Sequence, residues 1–137
     1  DNPLIGPNDD RLGVRFPDMS EPWDRAFIAT MAETALELKM PLQRSVFVAV
    51  AGPNLETAAE YRFLRTIGAD TVGMSSVPEC LAAVHGGLRV VGLSVVTDAC
   101  FPDTLQPANV EEIIKVANEA QPRLEALVKG FLARVDL

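Results

Sequence analysis

The chain has 137 residues, is 48% hydrophobic and carries a formal net charge of −7. This length and apolar content suit one α/β domain with a buried core, which we place over residues 1–137. The acidic balance argues against nucleic-acid binding, no apolar run is long enough to cross a bilayer, and we expect no signal peptide.

The first twenty residues are rich in Pro, Gly, Asn and Asp, and we predict that they are irregular. A helix is then predicted from Trp23 to about Lys39, because apolar residues recur there at helical spacing. Ser20 is placed as the N-cap of this helix and Pro22 in its first turn. Pro41 is expected to end it, since the residue before a proline disfavours the α conformation.

The middle of the chain alternates predicted strands with predicted helices. Nearly continuous apolar runs over 45–51 and 88–97 are typical of strands that are buried on both faces. Thr57 and Glu60 are placed as a capping box at a helix start. The remaining predicted elements are a helix from 57 to 67, a short strand over 70–74 and a helix over 77–84.

The last third of the chain is predicted to be a loop, 98–107, and then a helix over 109–135 that Pro122 kinks or divides. Alternating strands and helices favour an α/β fold with a mixed, largely parallel sheet flanked by helices. In such sheets ligands bind beyond the carboxyl ends of the strands. The loops in that position are 52–56, 74–76 and 97–103.

The sequence lacks the motifs of several common chemistries. It contains no dinucleotide fingerprint, no P-loop and no cluster of metal ligands, so we expect no metal site. Cys80 and Cys100 are expected to be free thiols in a reducing cytosol, which favours a cytoplasmic protein. The single histidine, His85, ends a predicted helix, where a structural role is expected.

Two segments in the middle of the chain carry distinctive motifs. Residues 51–60 read AGPNLETAAE, which is similar to the pattern A-G-P-x-F-E-T-x-A-E of the trimeric purine nucleoside phosphorylases. Residues 68–79 read GADTVGMSSVPE and match G-A-D-x-V-G-M-S-x-V-P-E. Residues 2–8 and 85–90 agree with the family as well, so the resemblance extends over nearly all of the chain.

The resemblance implies a nucleoside phosphorylase fold, of which residues 1–137 would form the C-terminal half of one domain. It also implies a homotrimeric glycosyltransferase that splits purine nucleosides reversibly into free purine and ribose 1-phosphate. Inorganic phosphate would be the co-substrate, and no other cofactor is expected.

Glu56 resembles the family glutamate that accepts a hydrogen bond from N1–H of a 6-oxopurine. A carboxylate suits this role because it only accepts hydrogen bonds. The residues alone allow a second interpretation, in which Glu56 favours the positive end of the following helix. Leu55 stands where the family usually has Phe, so an apolar contact with the base remains without the aromatic edge.

Four further residues are assigned to the substrate by the same resemblance. Met74 is similar to the methionine that packs on the ribose, and Ser75 to the serine that contacts phosphate. Val72 and Phe47 would line the purine pocket, although both also suit an ordinary strand core.

Two positions depart from the family pattern. Thr97 is followed by Asp98 where the family has Asn, and Val110 replaces a histidine that contacts the ribose 5′-hydroxyl. Methylthioadenosine phosphorylases also combine Asp and Val at these positions, but they lack the glutamate retained here as Glu56. Asp98 would lie at N7 of the purine and, when protonated, act as a general acid. The alternative is that Asp98 only stabilises its loop as an Asx-turn.

The phosphate-binding part of the family is missing from the sequence. Its glycine-rich phosphate loop and its phosphate-binding Arg and His have no counterpart here, and the chain opens Asp1-Asn2-Pro3 like a loop in the middle of a protein. We therefore expect a fragment, a cleaved piece or a part of a longer enzyme, inactive without its other half. The alternatives are a phosphorylase that prefers methylthioadenosine or adenosine, and a non-catalytic purine-binding or assembly module.

Overall fold

The computed structural model describes residues 1–136. This part of the chain forms four helices and two strands. In order they are α1 (Arg25–Glu37), β1 (Phe47–Ala49), α2 (Ala58–Thr66), β2 (Thr71–Gly73), α3 (Val77–His85) and α4 (Val110–Leu132), with a short 3₁₀ turn at Pro102–Thr104.

The two strands form a parallel sheet with α2 as the crossover. Phe47 pairs with Thr71 and Ala49 with Gly73, and the Val50 N–H continues the ladder to the Gly73 carbonyl at 2.9 Å. The carboxyl ends of β1 and β2 therefore meet at one edge. The loops that follow them, 50–56 and 74–76, are brought side by side.

Helix α2 begins as the sequence predicts. The Glu60 carboxylate accepts from the Thr57 N–H at 2.7 Å, and the Thr57 hydroxyl accepts from the Glu60 N–H at 3.3 Å. These reciprocal bonds satisfy two N–H groups that a helix start otherwise leaves unpaired. The capping box fixes the chain directly after Glu56.

Helix α1 begins later than predicted, and the assignment of Ser20 as its N-cap is wrong. The cap is Asp24, whose carboxylate accepts from the Phe27 N–H at 2.9 Å. Asp24 is held there by contacts distant in sequence, because its N–H donates to the Val90 carbonyl and its second oxygen accepts from Arg89. The Ser20 hydroxyl instead donates to Asp18.

The strand predicted over 88–97 is also wrong. The Val90 carbonyl accepts from the Asp24 N–H, but no segment within residues 1–136 runs beside 88–97 to form a ladder with it. Half-buried side chains alternate with exposed ones over 91–97, and Val91 and Leu93 pack against the core. The apolar pattern indicates that the segment is extended and partly buried. A strand also requires backbone hydrogen bonds to a neighbouring segment.

Helices α1 and α4 enclose the main core. Five buried side chains form it: Phe27, Met31, Ala35, Leu127 and Phe131. The rings of Phe27 and Phe131 meet edge to face with centroids 5.4 Å apart. Pro122 lies inside α4, which continues from Val110 to Leu132, so of the two predicted effects of Pro122 the division of the helix is wrong. No helix in the described part of the chain is long and apolar enough to span a membrane.

Candidate functional site

A cleft of about 890 Å³ opens at the carboxyl ends of β1 and β2. Its walls come from the extended segment 93–98, the loop 100–108 and the side of α2 that carries Tyr61, Leu64 and Arg65. Eight of the nine residues that the resemblance assigns to the substrate line it: Phe47, Leu55, Glu56, Val72, Met74, Ser75, Thr97 and Asp98. They come from four separate stretches of sequence, namely β1, the loop after it, β2 with the turn after it, and the end of the extended segment.

The ninth residue, Val110, is not among the residues that line the cleft. It is the first residue of α4, directly after the N-cap Asn109, and its side chain is 61% exposed. The cap fixes the helix start, with the Asn109 side chain accepting from two backbone N–H groups. The structure therefore does not bring Val110 to the other predicted site residues.

Glu56 occupies the cleft rather than the helix cap. Its side chain is half-buried, and the carboxylate that caps α2 belongs to Glu60. The Gly52 backbone (φ 60°) lets this loop approach β2, because a Cβ there would lie 2.4 Å from the Met74 sulfur. The loop that carries Glu56 is thus packed directly against the residue expected to contact the ribose.

Asp98 lines the same cleft and has an exposed side chain. Its Oδ1 accepts from the Ala99 N–H at 2.7 Å, so one carboxylate oxygen stabilises the local backbone. The loop that follows is tied to α2 by an ion pair between Arg62 and Asp103 at 2.6 Å. Both interpretations of Asp98, as a loop stabiliser and as a residue of the cleft, are compatible with this position.

The cleft carries little positive charge. Arg65 is the one basic side chain among its lining residues, and Ser75 is exposed at the turn that leads into α3. Within residues 1–136 no group of three or more His, Cys, Asp or Glu could hold a metal ion. His85 lies outside the cleft, with its Nε2 3.0 Å from the Asn8 side-chain oxygen.

The lining residues that the sequence did not single out include Tyr61 and Cys100. Burial raises the pKa of the Tyr61 hydroxyl, and the neighbouring Cys100 and Glu56 side chains raise it further. A helical side chain tilts toward the N-terminus of its helix, so Tyr61 near the start of α2 leans toward the segment that holds Glu56. That spacing was a usable signal in the sequence.

The fold and the cleft define an α/β protein built like a nucleoside phosphorylase. The chain belongs to the phosphorylase superfamily, whose family model matches residues 1–133. It is 43% identical over 135 residues to purine nucleoside phosphorylase 1 of Bacillus subtilis (strain 168), covering 98% of this chain and 50% of that protein. The predicted family and fold class are therefore confirmed.

Solved structures agree with this assignment. The chain is similar to purine nucleoside phosphorylase of Schistosoma mansoni in complex with inosine, with a TM-score of 0.93 at 31% identity, covering 98% of this chain and 49% of that one. For the same enzyme in complex with adenosine the TM-score is 0.91 at 30% identity, with 98% and 50% covered. The chain spans about half the length of the curated relatives it matches.

Proposed function

We propose that these residues belong to a purine nucleoside phosphorylase, a pentosyltransferase that converts a purine nucleoside and phosphate into free purine and ribose 1-phosphate. The observation that carries the proposal is that Glu56, Asp98, Met74 and Ser75 all line one cleft. The names of the relatives and their bound nucleosides support the same reaction.

The proposed chemistry breaks the bond between C1′ and N9 of the nucleoside and forms a bond between C1′ and a phosphate oxygen. The transition state resembles an oxocarbenium ion, so positioning and charge stabilisation carry the catalysis. Glu56 accepts from N1–H and orients the base. Protonated Asp98 donates to N7, which takes up the proton as the purine leaves.

The phosphate site needs residues beyond these. A phosphate dianion is bound by several N–H donors or cations. In this cleft only Ser75 and one arginine, Arg65, are available for that role. We propose that this chain is the C-terminal, purine-binding half of the enzyme and that the other half brings the phosphate loop. A homotrimer and a role in purine salvage belong to the same proposal and rest on the resemblance to the trimeric family.

A cytoplasmic location is also proposed, and two free thiols support it. Cys80 is buried and Cys100 half-buried, and neither forms a disulfide. Free thiols are typical of proteins in a reducing compartment.

The base preference has two candidates. Glu56 favours inosine and guanosine, which present N1–H, whereas a carboxylate at Asp98 would accept from the 6-amino group of adenosine. The relative from Schistosoma mansoni has been solved with inosine and with adenosine. We propose 6-oxopurine activity with tolerance of adenosine.

The test compares the isolated 137-residue chain with the whole protein. The whole protein should release hypoxanthine from inosine only when phosphate is present, whereas the isolated chain should not. Phosphate-dependent turnover by the isolated chain, free of any copurifying half, would overturn the proposed division of labour. A whole protein that binds purine without turnover would favour the non-catalytic alternative.

A further inference from the structure

The loop 98–108 forms much of the cleft wall, yet a single polar contact attaches it to another part of the described chain. Asp98 and most of the loop residues after it line the cleft. Within residues 1–136, one hydrogen bond joins this loop to another segment, in which Arg62 Nη2 donates to Asp103 Oδ1 at 2.6 Å. Arg62 lies on α2, outside the cleft lining.

Short local hydrogen bonds connect Asp103 back to Asp98. The Ala99 N–H donates to Asp98 Oδ1 at 2.7 Å, the Phe101 N–H to the Ala99 carbonyl at 3.2 Å, and the Thr104 N–H to the Phe101 carbonyl at 3.1 Å. These overlapping turns make 98–104 one bonded stretch, with Asp103 in its 3₁₀ turn. A contact that holds Asp103 therefore restricts Asp98 as well.

Arg62 is attached to a well-defined helix. The capping box of Thr57 and Glu60 fixes the first turn of α2, and Leu64 is buried beneath it. The side chains of Arg62 and Asp103 are 57% and 85% exposed. Exposed ion pairs shift an equilibrium only modestly, by up to about fivefold, so this pair can bias the position of the loop without locking it.

We propose that Arg62 is a positioning residue that holds Asp98 at the base through its ion pair with Asp103. The inference rests on the proposed function, because that function assigns Asp98 to the base. Without the pair, the loop occupies the competent position for a smaller fraction of the time, and kcat/KM falls by that fraction. Both inosine and adenosine meet Asp98, so both reactions should be affected.

Arg62→Gln in the full-length enzyme removes the charge and keeps a long polar side chain. We expect kcat/KM for inosine and for adenosine to fall about three- to fivefold. Arg62→Lys should stay within about twofold of the wild type, because the contact uses one N–H and one oxygen. The matched control is Arg25→Gln, at an exposed arginine that pairs with Glu21 at 2.5 Å away from the cleft, and it should leave both values unchanged. An unchanged Arg62→Gln enzyme, or equal losses in the control, would overturn the proposal.

Two double variants test the route from Arg62 to Asp98. Arg62→Asp places two carboxylates together, and adding Asp103→Arg should restore activity to within about twofold of the wild type. Arg62→Gln combined with Asp98→Ala should lose no more activity than Asp98→Ala alone, since the positioned group is already absent. Failure of the charge exchange to restore activity, or additive losses with Asp98→Ala, would contradict the route.

Amide hydrogen exchange of the full-length protein measures the position of the loop without relying on turnover. The amides of residues 99–104 should exchange about three- to fivefold faster in Arg62→Gln than in the wild type, and at the wild-type rate in Arg25→Gln. Unchanged exchange in Arg62→Gln would show that the ion pair does not hold the loop. A wild-type enzyme that does not phosphorolyse inosine would instead overturn the proposed function, and faster exchange in Arg62→Gln would still show the anchoring.

Discussion

Replacing Asp98 with Asn exchanges one carboxylate oxygen for an NH2 group on the proposed N7 side of the base. Asp98 Oδ1 accepts from the Ala99 N–H at 2.7 Å, and an asparagine side-chain oxygen can keep that bond. The substitution therefore leaves the loop intact and turns the second heteroatom from an acceptor into a donor. A permanent donor suits a 6-oxopurine, whereas it faces the 6-amino group of adenosine as a second donor.

The expected magnitude follows from the exposure of this side chain. A mismatched polar pair in a closed pocket costs about 1–3 kcal/mol. The Asp98 side chain is exposed in this structure, so water competes for its hydrogen bonds. We therefore use the lower end of this range, about 1 kcal/mol, for each nucleoside. The two opposite changes together amount to about 2 kcal/mol, or roughly a thirtyfold shift in the ratio of kcat/KM toward inosine.

The assay measures kcat/KM for inosine and for adenosine with the full-length Asp98→Asn enzyme and the wild type under identical phosphate. Asp98→Ala is the matched control, because it removes both the local acceptor and the group at the base. It should lower both activities without the selective gain for inosine. An unchanged ratio in Asp98→Asn would refute the role of Asp98 at the base and, with it, the tolerance of adenosine.

Two further predictions concern the scaffold in the full-length protein. Phe131→Ala should lower the free energy of unfolding by about 3–5 kcal/mol in chemical denaturation, because the ring is buried against Phe27. The control Leu132→Ala, at a half-exposed neighbouring residue, should lower it by about 1 kcal/mol. Equal losses would contradict the placement of Phe131 in the core. Hydrogen bonding to Arg89, and then to the Phe27 N–H, lowers the pKa of Asp24 to about 2, so its charge stabilises the fold above pH ~4 and loses that effect as the pH falls toward ~2. The melting temperature of Asp24→Asn should therefore lie below that of the wild type at pH 7 and converge with it near pH 2, and a constant difference would rule out this linkage.

Local signals in the sequence predicted the parts of the fold that depend on neighbouring residues. The capping box of Thr57 and Glu60 needs only a spacing of three residues, and the two short strands end directly before the loops 50–56 and 74–76. Six of the eight predicted site residues that line the cleft lie on these two parallel strands or in the loops after them, whereas the other two end the unpaired segment 93–98. Composition and motif thus predicted the cleft.

The wrong predictions depended on contacts distant in sequence. Ser20 was a plausible cap, but Asp24 is the cap because Arg89 and Val90 hold it. The run 88–97 has the apolar pattern of a strand, yet pairing requires a second backbone that no local signal reveals. Tyr61 was overlooked because it departs from no motif, although it lines the same cleft as Glu56.

The central claim is that Glu56 reads the N1–H of a purine in a phosphorolysis reaction. It is tested most directly by phosphate-dependent release of hypoxanthine from inosine by the full-length enzyme and its Glu56→Gln variant. The wild type should turn over inosine. The fall in kcat/KM of the variant should correspond to about 1.5–3 kcal/mol of lost transition-state stabilisation, the scale of a charge-assisted hydrogen bond. Inosine phosphorolysis unaffected by this substitution would contradict the claim and leave Glu56 as a residue of the helix start.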